Sequence, residues 1–189
     1  MKFIKFILLT GAFAVLLFNG PSRAIGGDKN AGPEEFKLQQ QKRSSEYLAG
    51  QDAETRTFME SLKGMGRDEK LLAVKDFKTK HYSENCEFRE KMHAAQVDFV
   101  KARMELNPSL PQAMKDKKLA LLEREYEEFK IFHAQKNKEN MEFIDGLIAD
   151  KSKDGQELDK LLQDFMKSQK SDAKQFLEKQ NEKYRKSMQ

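Results

Sequence analysis

Tryptophan is absent from this chain, cysteine occurs once and only four prolines interrupt it. The single Cys86 has no partner for an intramolecular disulfide, so the fold must rest on its core alone. A composition rich in Lys, Glu, Gln and Leu suits helices far better than strands. The short motifs that carry chemistry are missing too. There is no phosphate-binding glycine loop, no nucleophile elbow and no zinc-protease helix motif. Acids alternate with bases, as in "KDKKLALLEREYEEF" (115–129), the pattern of solvated helix faces. An enzyme is not expected. His81, His93, His133 and Cys86 are the soft metal-ligand candidates, but no close pair such as H-x3-H or C-x2-C joins them. Neither a metal nor a cofactor is expected from these spacings.

Net charge is also small. The whole chain has 35 basic and 31 acidic residues, a formal +4. Its first 24 residues, "MKFIKFILLTGAFAVLLFNGPSRA", have the three parts of a secretory signal. Lys2 and Lys5 form a basic start, Phe6 to Phe18 an apolar run, and Ser22 and Ala24 a small-residue cleavage site. The run has 13 residues, too few to span a bilayer core of about 30 Å. Cleavage after Ala24 and export to the periplasm or medium are expected, with no transmembrane segment in the mature chain. Lys2, Lys5 and Arg23 leave with the signal and no acid does, so 32 basic residues face 31 acidic ones. That near-balance removes the argument for a nucleic-acid partner, which needs a concentrated cationic surface.

Residues 25–33, "IGGDKNAGP", read as a flexible linker, and 34–189 as a single helical domain. Three breaks, "KGMGR", "NPSLP" and "DKSKDG", divide that domain into four segments. The expected fold is all-α, an elongated antiparallel bundle of about four helices. Three long helices are placed at 67–106, 111–149 and 155–188, with a looser N-terminal helix at 34–63. Asp52 after Gly50 is a candidate N-cap, which allows a kink or break in that first segment. Phe58, Phe99 and Phe143 lead into the three breaks, and "LL" follows each one, so the hairpins resemble a degenerate repeat.

Phenylalanine recurs every eleven residues: Phe77, Phe88 and Phe99, then Phe132 and Phe143, then Phe165 and Phe176. Eleven residues make three turns at 3.67 per turn, so these rings stay on nearly one line. Short connections make neighbouring helices antiparallel, and facing stripes then bury each other. The second helix also carries Tyr82, Cys86, Val97, Val100 and Met104, roughly 120–180° around from Phe88. Such a helix either sits between two neighbours or presents one stripe to another molecule. These five residues are the candidate interaction surface, for protein clients or for self-association as a homodimer. His81, Asn85, His133 and Gln169 fall at similar heights and form a candidate buried polar layer. Eight methionines remain after the signal, and flexible thioethers adapt to irregular partners. The expected function is an exported helical binding protein, a chaperone or adaptor for unfolded or envelope clients. The alternatives are a structural, coiled-coil-like envelope protein and, with less support, a ligand or metal sensor.

Overall fold

The structure, a computed structural model, describes residues 32–152 and 155–187. The expected signal and most of the expected linker, residues 1–31, lie outside the described residues. Among the described residues there are four helices: α1 (Pro33–Ser61), α2 (Arg67–Glu105), α3 (Gln112–Ala149) and α4 (Gly155–Ser187). No strand occurs among the described residues.

Each helix begins where local chemistry dictates. Pro33 opens α1, and Glu34 and Glu35 complement the positive end of its dipole. The turn before α2 needs Gly64, whose φ of 87° few other residues adopt. The Gly66 N–H then donates to the Glu69 carboxylate at 3.4 Å, which satisfies one orphan donor of α2. Pro111 caps the start of α3.

The break that Gly50 and Asp52 allowed does not form. α1 runs through both positions without interruption. A glycine inside a helix costs about 1 kcal/mol. Ring contacts made by Tyr47 and Phe58 to α2, on either side of Gly50, offset it.

Those contacts belong to a ladder. Phe36 stacks on Phe99, Tyr47 on Phe88 and Phe58 on Phe77, with ring centroids 3.5, 4.0 and 4.0 Å apart. Each rung lies eleven residues along α1 and eleven back along α2. Phe132–Phe176 and Phe143–Phe165 repeat the arrangement between α3 and α4, at 4.2 and 4.0 Å. The eleven-residue interval therefore serves antiparallel stacking within each hairpin.

α2 and α3 form the central antiparallel pair, with α1 packed on α2 and α4 on α3. Arg67, the first residue of α2, ties the centre at one end. Its guanidinium donates to the Leu147 and Asp150 carbonyls at 2.6 and 3.0 Å, so it caps the end of α3. Beside it Leu62, Leu71, Val74, Ile144 and Leu147 form an apolar cluster, with Phe58, Phe77 and Phe143 packed around it. A second cluster, Phe36, Met92 and Phe99, fills the other end. Between them the buried seam of α2 turns polar, through Lys78, Asn85 and Arg89.

Candidate functional site

The second apolar stripe of α2 faces α3. Tyr82 packs on the His133 ring with centroids 4.9 Å apart, and Cys86 Sγ lies 3.9 Å from His133 Nδ1. Val97 and Met104 are buried, while Tyr82, Cys86 and Val100 stay half-buried. The candidate interaction surface is corrected accordingly: of its two readings, the stripe follows the one in which it is largely covered within the chain. α2 is a central helix, and α3 takes up the face that a second copy or a client was expected to cover.

The four residues of the candidate polar layer do not gather into one cluster; only Asn85 and His81, one turn apart on α2, touch. His81 pairs with Glu54 of α1 across 3.2 Å. Asn85 is buried and donates to the His81 carbonyl at 2.8 Å. His133 belongs to the α2–α3 interface, and Gln169 donates to Glu139 at 2.9 Å between α3 and α4. Register explains the separation, since His81 faces α1, His133 faces α2 and Gln169 faces α3. The buried polar seam includes residues that spacing alone did not single out: Gln40, Lys78, Arg89, His93 and Gln96. His93 Nε2 lies 3.1 Å from Glu123 Oε2, and its ring stacks on Tyr126. The Arg89 guanidinium lies 5.0 Å from the centroid of Phe129, and burial lowers its pKa to about 10.

Burial, with the Arg89 guanidinium adding to it, pushes the His133 imidazolium down to about 4. The unfolded chain holds that proton below about 6.5, so stability falls as pH drops from there towards 4. Between pH 7 and 5.5 the wild type should lose about 1 kcal/mol through this group. His133→Leu should show a flatter profile over that window in urea melts. Equal slopes for the two proteins would mean that the ring is solvated in the folded chain.

One groove opens where the second cluster meets the α2–α3 turn. Its volume is about 470 Å³, and Phe99, Val100, Met104, Leu110, Leu121 and Leu122 supply its apolar lining. Lys37, Arg103 and Lys118 stand on its margin against one acid, Glu34. Exposed Leu106 and Met114 flank the same turn. The groove thus retains Val100 and Met104 from the candidate surface, joined by residues of α1 and α3. Sequence spacing missed these because the cavity is assembled from three helix ends. The leucine pair at 121–122 was visible only as a repeat marker.

A second assembly sits between α1 and α2. Glu54, His81 and Glu84 each offer one ligand atom, and these atoms all lie within 4.8 Å of one another. The His81 ring is held against Phe77 at 4.0 Å, and its side chain is only 12% exposed. Lys80 Nζ lies 3.4 Å from both carboxylates, and its hydrogen bond to Glu54, with that to Glu84, raises its pKa. No helix among the described residues is long and apolar enough to cross a membrane. No protein-family model, curated protein or solved structure matches the chain.

Proposed function

We propose that this chain is an exported helical binding protein that acts as a chaperone or adaptor. It holds an apolar client segment flanked by acidic residues. The groove at the α2–α3 turn carries the reading. Its apolar floor suits leucine- or phenylalanine-sized side chains, and its three cations against one acid favour an acidic flank. Met104 in the lining adapts to varied shapes. The signal-like first 24 residues support export, where unfolded envelope proteins are the available clients.

Aggregation of reduced insulin, followed by light scattering, tests the proposal. The exported protein should begin at Ile25 by intact mass, and a few-fold molar excess should delay aggregation. Leu121→Glu places a charge on the apolar lining and should abolish the delay. Lys118→Glu should weaken it, and both variants should keep wild-type helicity. No delay by the wild type, or full activity in a folded Leu121→Glu variant, overturns the proposal. The alternative, a structural envelope protein, draws support from the ring ladders that join the helices along both hairpins. A stable oligomer without effect on insulin would favour it.

A further inference from the structure

The two hairpins carry the same polar arrangement at the same distance from their stacked rings. Four residues inward from Phe58 and Phe77 stand Glu54 and His81, and Glu84 follows one turn later on α2. Four residues inward from Phe143 and Phe165 stand Glu139 and Gln169, and Asp172 follows one turn later on α4. Each hairpin therefore sets two carboxylates against one nitrogen-bearing side chain.

The cation differs. In the α3–α4 hairpin the Lys136 ammonium bridges both carboxylates, 2.7 Å from Glu139 and 2.6 Å from Asp172. It projects from α3, three residues before Glu139, and its side chain is 16% exposed. The matching position on α1, three residues before Glu54, is Gln51. Its amide donates instead to the Tyr47 hydroxyl at 2.5 Å. In the α1–α2 hairpin the nearest ammonium is Lys80, on the rim, 58% exposed and 3.4 Å from each carboxylate. Where the second hairpin has the amide of Gln169, the first has an imidazole. That exchange turns a cation-holding pair of carboxylates into a set with a nitrogen ligand.

We propose that Glu54, His81 and Glu84 bind one divalent transition-metal ion of the zinc type, which takes the place of the Lys80 ammonium and clamps α1 to α2. An imidazole with two carboxylates suits zinc better than calcium or magnesium, which favour oxygen ligands throughout. Three protein ligands leave one tetrahedral position for water. The ring of His81 is already oriented by Phe77, itself stacked on Phe58, so less ordering is needed on binding. The site lies between α1 and α2 in the hairpin's turn-proximal half, away from the groove, and is independent of client binding.

Isothermal titration of the mature protein with Zn²⁺ alone provides the test. One ion per chain should bind, and saturation should raise Tm by about 5 °C. His81→Gln, which copies the second hairpin, should weaken binding at least about 30-fold, in line with the loss of one of three ligands. Gln51→Lys, which supplies the internal ammonium, should abolish binding while keeping or raising the metal-free Tm. Cys86→Ser should bind as the wild type does, which separates this site from the Cys86–His133 contact. No saturable binding by the wild type, or full binding retained by either His81→Gln or Gln51→Lys, overturns the assignment. Binding lost in Cys86→Ser would also overturn it.

Discussion

Phe99→Ala should destabilise the chain by about 3–5 kcal/mol and lower Tm by roughly 10 °C, the scale for deleting a buried ring from a domain of this size. Phe99 is buried against Phe36, whose ring is wholly shielded, and both belong to the cluster that anchors the first turns of α1. Removing one ring exposes the face of the other and leaves a cavity that the rigid α1–α2 ladder cannot close. The loss should therefore exceed the transfer free energy of the ring alone. Ile131→Ala is the matched control, because Ile131 is 69% exposed and its truncation should change stability by less than about 0.5 kcal/mol. Urea melts that find equal losses for the two variants would sink the ladder as a source of stability.

The second large effect runs in the opposite direction. Lys78→Met should stabilise the protein at pH 7 by about 1–4 kcal/mol, because a buried charged group gives way to an apolar chain of similar length. Lys78 is buried one turn beyond Val74 on the seam of α2, and burial pushes its ammonium down to about 7. The unfolded lysine keeps its proton to about 10.5, so the penalty is fully present below 7 and fades as pH rises from 7 to 10.5. Wild-type stability should gain from this group over that window, and the variant should lack the gain. A lower Tm for Lys78→Met at pH 7 would show that the contacts of the ammonium outweigh its desolvation.

Helix positions were legible because their ends carry glycine and proline chemistry. α2 was expected at 67–106 and runs Arg67–Glu105; α3 was expected at 111–149 and runs Gln112–Ala149. The phenylalanine interval on α2, α3 and α4 was also visible. Its counterpart on α1 was not, because Tyr47 interrupts the pattern between Phe36 and Phe58, although it stacks on Phe88 as a phenylalanine would. Nothing in the spacing marks Lys78 and Arg89 as buried, since long charged side chains usually keep their heads in water. Only the packing shows them inside. The second stripe had two physical readings, and deciding between them required knowing that α2 lies between α1 and α3. His81 and Glu84 were one helical turn apart in the sequence. Their association with Glu54 depends on register between helices, which spacing within one helix does not encode.

The constant rung spacing has a consequence for how the chain finds its pairing. If α1 slides eleven residues along α2, Phe36 meets Phe88 and Tyr47 meets Phe77, so two of three stacks survive. The displaced alignment leaves Phe58 and Phe99 unstacked, so of the rings it is these end ones that tell the correct alignment from its neighbour. It also loses the pairing of Glu54 with His81, and it unwinds about three turns beside the short connection at 62–66. Selection between these alignments falls to the end rings together with the polar contact and the short connection, the polar contact acting in the way that a single polar residue fixes the alignment of a coiled coil. Lengthening that connection would leave every ring in place and still free the first helix to settle one rung away.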